Sequence, residues 1–168
     1  MPNYCNYEMK IVGSKKAINR VIKCLEAEYD YGTGTKPEHK HFFRVFEANY
    51  GEPVLNKDGT YTMFVSGDCA WSVYSCMCKG EHTYYSAMKE QYPKIFNGTT
   101  IQEQSKGCDI EIFSEEEGCE FSEHYLFKDG KVVIDKCVDV TYETNEDGEV
   151  ISEDNPNRNK NGEYRWIL

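Results

Sequence analysis

Asp-Gly occurs three times in this chain, at Asp58-Gly59, Asp129-Gly130 and Asp147-Gly148, and no other feature restricts its fold as much. Both residue types tolerate the positive φ angles that a two-residue hairpin turn demands. HFFRVFEANY and TYTMFVSG flank the first pair, and CEFSEHYLF and KVVIDKCVDVTYE flank the second. All four runs are rich in aromatic and β-branched residues, so they predict two antiparallel hairpins. In the last run Val132, Ile134, Val138, Val140 and Tyr142 share one side, with Lys136 as the exception, and Asp135, Asp139 and Glu143 share the other. The alternation predicts an apolar face that packs and an acidic face that looks outward.

The segments between the hairpins complete the pattern. Tyr7, Met9 and Ile11 alternate with Glu8 and Lys10, as in a half-buried strand. Gly13-Ser14 interrupts it, and Ile18, Val21, Ile22 and Leu25 then follow at helical spacing, predicting a helix capped by Ser14 and running to about Tyr29. YGTGTKPEHK is loop, TYYSAMKEQYPKIF is interrupted at Pro93, TTIQEQSKG predicts a short helix capped by Thr99 or Thr100 and stopped at Gly107, and CDIEIF predicts a strand. The expected fold class is therefore α+β: a β-α-β-β-α-β, ferredoxin-like sandwich, with helices on one face of an antiparallel sheet and an extra C-terminal β-hairpin. Residues 1–143 form one such domain in this reading. Residues 144–168 are a polar tail whose apolar end, Trp166, Ile167 and Leu168, docks back on the domain.

The chain has 168 residues, enough for one domain with a sizeable core. No stretch approaches the roughly 18 apolar residues that span a bilayer. The N-terminal MPNYCNYEMKIVG places charge where an export signal needs an unbroken apolar run, so a cytoplasmic location, no membrane partner and reduced thiols are expected.

Charge is unevenly distributed. Residues 109–154 hold 16 of the 29 acids and 3 of the 19 bases, leaving the remainder slightly basic. Such a segment repels nucleic acid and attracts basic partners. Sixteen acids in 46 residues exceed what solubility requires. The residues expected to meet a partner are Glu115, Glu116, Glu117, Glu120 and Glu123, with Asp135, Asp139 and Glu143 from the neighbouring strand.

GDCAWSVYSCMCKG is the main place where metal or thiol chemistry would reside. Its spacing, Cys69-x6-Cys76-x-Cys78, lacks the paired C-x2-4-C that lets sulfurs converge on a tetrahedral ion. Strand alternation would put Cys69, Trp71 and Val73 on one side and Ala70, Ser72 and Tyr74 on the other, so the stretch reads as core strand and turn. His39, His41, His82 and His124 sit in no nucleophile signature, and a half-exposed strand position is expected for His124. Glu143, Asn145, Asp147, Gly148 and Asp154 fall at EF-hand positions, but the flanks read as strand and tail, and a solvated Asp-Gly turn explains them. Phosphate, dinucleotide, hydrolase and zinc-protease motifs are absent from the sequence. No catalytic residue, cofactor or metal is assigned; the alternatives are a cysteine-dependent enzyme or metal protein built on Cys69, Cys76 and Cys78, or a small-ligand-binding accessory module.

Taken together, MPNYCNYEMKIVG, HFFRVFEANY, SGDCAWSVYSCM and CDIEIFSEEEGCEFSEHYLFKDGKVVIDKCVDV resemble the YubB ferredoxin-like family of small phage, plasmid and mobile-element proteins. The resemblance covers most of residues 1–142. It implies a ferredoxin-like core and a mobile-element origin, with no catalytic residues to transfer. The name carries no iron-sulfur site, since the C-x2-C-x2-C spacing is missing. The expected function is a phage or mobile-element protein that binds and inhibits a host protein through its acidic face, such as an anti-CRISPR acting on a nucleic-acid-binding nuclease complex, with no direct contact to nucleic acid.

Overall fold

The computed structural model describes residues 3–168; Met1 and Pro2, the start of MPNYCNYEMKIVG, lie outside them. Strand β1, Tyr4–Gly13, buries every second side chain from Cys5 to Ile11. Helix α1, Lys15–Glu26, begins where the Ser14 hydroxyl accepts the Ala17 N–H, and Ile18, Val21, Ile22 and Leu25 form its buried face. The helix stops at Glu26, short of Tyr29, because Tyr29 is held elsewhere: its ring stacks on His41 and its hydroxyl accepts the Arg44 N–H.

Strands β2 (Val45–Tyr50), β3 (Val54–Leu55) and β4 (Tyr61–Ala70) follow, then helices α2 (Val73–Met77), α3 (Tyr84–Gln91) and α4 (Ile101–Gln104). The Thr100 hydroxyl caps α4. Strands β5 (Cys108–Glu116), β6 (Phe121–Lys128) and β7 (Lys131–Asp139) extend the sheet, and β8 (Thr141–Thr144) pairs with β9 (Val150–Asp154) in a separate hairpin. This hairpin crosses the expected boundary at residue 143. The protein is α+β, with a seven-stranded antiparallel sheet in the order β2-β4-β1-β5-β6-β7 and β3 beside β4. The β6–β7 turn has positive φ at both Asp129 and Gly130, the mirror-image turn that matches strand twist. Among the described residues no helix is long and apolar enough to cross a membrane.

One sheet face carries Tyr7, Met9, Ile11, Val65, Ile110, Ile112, Tyr125 and Phe127, which share a single buried cluster with α1, α2 and α4. The C-terminal segment lies on the other face. Phe113 stacks on His124 at 4.0 Å and on Tyr164 at 4.6 Å, and Trp166 meets Phe113 edge-on at 5.0 Å. Trp166 and Leu168 are half-buried there, whereas the Ile167 side chain remains exposed.

Two alternation patterns differ from expectation. The strand containing Cys69 ends at Ala70, and Trp71 adopts φ 69°, turning the chain into α2. Cys69, Ala70, Val73, Cys76 and Met77 are buried, but Trp71 and Tyr74 face solvent, so this stretch is core with an exposed aromatic corner. In β7 a bulge pairs Phe127 with Val132 but Leu126 with Ile134. The extra residue shifts side-chain parity. Val132 and Ile134 therefore lie on opposite faces, and Asp135, opposite Tyr125, points to the helix-bearing side rather than away from the core.

Candidate functional site

The acids expected to form one face are divided among several environments, because neighbours in β5 and β6 alternate across a sheet covered on both sides. Glu123 is buried and unavailable to a partner. Its Oε2 accepts the Val73 N–H at 2.7 Å and the Ser114 hydroxyl, while Oε1 accepts the Tyr74 N–H at 3.1 Å and the Tyr125 hydroxyl at 3.0 Å. It thereby satisfies the first two amides of α2, whose Ser72 cap satisfies the Ser75 N–H. Burial pushes the Glu123 carboxyl above its ordinary value against these four donors. Glu115 lies on the opposite face, bonded to Arg158 at 2.6 Å and to Asn155. Glu143 belongs to the β8–β9 hairpin and accepts the Ser152 hydroxyl. Glu117, Glu120, Asp135 and Asp139 remain exposed.

Glu116 is different. It is 4% exposed, its Oε1 accepts the Gly118 N–H at 3.2 Å, and its Oε2 has no hydrogen-bond partner among the described residues. The neighbouring Cys119 thiol is a weak donor, and contact with the carboxylate raises its pKa. Glu116 lines a cavity of about 460 Å³ between the β5–β6 connection and the start of α2. Trp71, Tyr74, Phe121 and Tyr125 supply its aromatic wall, Glu123 also lines it, and Asp135 adds a third carboxylate, on an exposed residue. Asn3, Cys119 and Cys137 complete the mouth. Trp71 is 52% exposed and leads to further aromatics, half-buried Tyr84 and exposed Phe46 and Tyr4: its ring lies 6.2 Å from Tyr84, Arg44 spans Tyr84 and Phe46, and Phe46 packs on Tyr4. The cavity therefore combines apolar walls, negative charge and an aromatic border.

The residues associated with other chemistry have identifiable structural roles. Cys69 is buried beside Cys5 and Cys76, and contacts with those thiols followed by burial hold its pKa well above the ordinary value. Burial, then Glu123 and Asp135, raises Cys78. Among the described residues no three His, Cys, Asp or Glu side chains are grouped to hold a metal ion. His124 is buried rather than half-exposed; its Nε2 lies 2.8 Å from Glu111 Oε1. His41 is buried against Tyr29 and bonded to the Tyr31 hydroxyl, whereas His39 and His82 are exposed. Asn145 uses its Oδ1 on the Asp147 and Glu149 amides, closing the β8–β9 turn from within.

A larger groove, about 890 Å³, runs along α1 past Lys16, Lys23, Lys40 and Lys106. Its Arg20 is committed to Gln104 and to the Lys106 carbonyl. The Glu116 cavity is the stronger candidate because a buried polar atom there lacks a partner among the described residues, and native structures leave few such atoms unpaired.

Glu116 and Asp135 are legible in the sequence as candidate acids, whereas the aromatic wall is not. Trp71 and Tyr74 looked like alternating strand residues until the turn at Trp71 placed them beside β6. No family model, curated protein or solved structure matches the chain.

Proposed function

We propose that the protein is a non-enzymatic binding protein that engages a basic surface of a partner protein through the acidic, aromatic-bordered mouth of the Glu116 cavity. The observation that carries this reading is the juxtaposition of exposed Trp71 and Tyr74 with Asp135 and the buried carboxylate of Glu116. Aromatic anchors beside a pocket are what concentrates binding energy in protein interfaces, and surrounding carboxylates accelerate encounter with a positively charged surface. Glu117, Glu120 and Asp139 add exposed charge on the adjoining turn and strand end.

The resemblance to the YubB ferredoxin-like family supplies the biological form of the proposal: a mobile-element protein that inhibits a host protein, with a nuclease complex of host defence, and hence an anti-CRISPR role, as the specific case. An acidic surface that occupies a groove built for phosphates would serve such inhibition. The ferredoxin-like assignment draws support from the order β2-β4-β1-β5 and from α1 crossing between β1 and β2. In this reading strands β3, β6 and β7 would be additions to such a core.

The test is parallel affinity capture from bacterial lysate with the parent and a triple Glu117→Lys, Glu120→Lys, Asp139→Lys variant, at low and moderate salt. A nucleic-acid-handling protein retained by the parent, lost by the variant and weakened by salt is the expected result. Equal capture by both proteins would refute the acidic-surface reading.

A further inference from the structure

We infer that the Glu116 cavity receives the guanidinium group of an arginine side chain presented by the protein partner. This rests on the partner-binding reading above and identifies the chemistry by which the partner is recognised. Glu123 also lines the cavity, but both its oxygens are occupied by α2 amides and by the Ser114 and Tyr125 hydroxyls. Glu116 has one oxygen engaged by Gly118 and the other without a hydrogen-bond partner among the described residues, the weak Cys119 thiol being the one other donor in contact with the carboxylate, within a residue that is almost entirely buried. A carboxylate oxygen removed from water without a donor is costly. A ligand that brings N–H groups removes that cost, and a cationic ligand also neutralises the charge.

The walls distinguish among cations. Trp71, Tyr74 and Phe121 offer flat aromatic surface to the same cavity, and Asp135 supplies an exposed anionic group. A guanidinium ion is planar, donates along its edge and stacks through its faces, whereas an ammonium is a compact, strongly hydrated charge. Arg44 already uses this preference in the same aromatic strip, lying 5.3 Å from the Tyr84 ring centroid and 5.9 Å from that of Phe46. The Glu116 cavity repeats the combination, with a buried carboxylate added.

The experiment uses the full chain and three capped tripeptides, Gly-Arg-Gly, Gly-Lys-Gly and Gly-citrulline-Gly, titrated while the Trp71 indole and residue 117–123 amide NMR signals are followed. Citrulline keeps the shape of arginine and removes its charge. The arginine peptide is expected to shift these signals and to bind about tenfold more tightly than the citrulline peptide, equivalent to roughly 1.4 kcal/mol, with the lysine peptide intermediate. Glu116→Gln, which retains an acceptor for the Gly118 N–H, is expected to abolish that preference. Equal binding of the arginine and citrulline peptides, no shift at Trp71, or a preference unchanged in Glu116→Gln would overturn the inference.

Should Glu116→Gln not fold, Trp71→Ala provides the second variant, since that side chain is half exposed: a several-fold loss of arginine-peptide affinity is expected, and no loss would overturn the inference. The triple lysine variant separates this result from the broader reading. Partner capture that depends on the rim while arginine and citrulline peptides bind alike removes the guanidinium site and leaves the acidic surface. An arginine preference at Trp71 with capture indifferent to rim charge keeps the site and removes that surface.

Discussion

The Leu168 backbone N–H donates to Glu111 Oε2 at 2.9 Å, joining residues 57 apart in sequence. Ile167 N–H donates to the same carboxylate, and His124 Nε2 lies 2.8 Å from its other oxygen. Glu111 is 0% exposed, so the chain end completes the solvation of a buried acid. Glu111→Gln turns an amide N–H toward these donors and is expected to destabilise the protein by about 2 kcal/mol, read by urea denaturation. Deleting residues 166–168 is expected to cost more, since Trp166 packing on Phe113 and Phe64 is lost as well.

The same carboxylate makes the tail sensitive to acid. Burial raises the Glu111 pKa, but the hydrogen bonds from His124, Leu168 and Ile167 bring it below the ordinary value. A carboxyl with a lowered folded pKa contributes stability above its unfolded pKa, about 4.3, and loses it as pH falls through the folded value. The stability gap between the parent and Glu111→Gln is therefore expected to narrow below about pH 4. Denaturation curves from pH 7 to pH 3 check this, and a gap constant across the range would contradict it.

Glu123 anchors α2 to β6. Glu123→Ala leaves the Val73 and Tyr74 amides without their acceptor, and a loss of about 3 kcal/mol is expected from a buried charged-group network. Amide exchange should accelerate first in residues 73–77, ahead of β1 and β5, because α2 is the element released.

A close backbone approach governs the β2–β4 edge. A Cβ at Gly67 would lie 1.9 Å from the Glu47 carbonyl oxygen, which already accepts the Tyr7 hydroxyl at 2.8 Å. Gly67→Ala is expected to destabilise by roughly 3 kcal/mol and to shift the Glu47 and Tyr7 NMR signals. Gly59→Ala, with nothing within 4 Å of its Cβ, should disturb only the local turn.

The thiols should fall into separable classes. Cys119 and Cys137 are exposed, but Glu116 raises the former and burial followed by Glu123 and Asp139 raises the latter. Both are expected to react slowly with a disulfide reagent at pH 7 and faster toward pH 9, as the thiolate fraction grows. Cys24 and Cys108, buried with pKa values pushed up to about 11, and Cys5, Cys69 and Cys76 should react only on unfolding. Mass mapping of the modified sites distinguishes these classes, and early labelling of Cys69 would place that residue outside the core.

Local sequence determined the elements with local causes. Alternation from Cys5 to Ile11, the Ser14 cap and Asp129-Gly130 each select a strand, a helix start or a turn through dihedral preference and side-chain periodicity, and these were legible directly. The candidate site was legible only in part: Glu116 and Asp135 stood out as acids, while charge alone gave no means of separating them from Glu123 and Glu115. Tertiary structure decided that separation. The turn at Trp71 brings α2 amides to Glu123, the β6–β7 bulge turns Asp135 toward the helix-bearing face, and the C-terminal segment pairs Arg158 with Glu115. A residue's charge is a property of the chain, but its burial and its partners depend on contacts between segments far apart in sequence, and those contacts exist only once the sheet has closed over both faces.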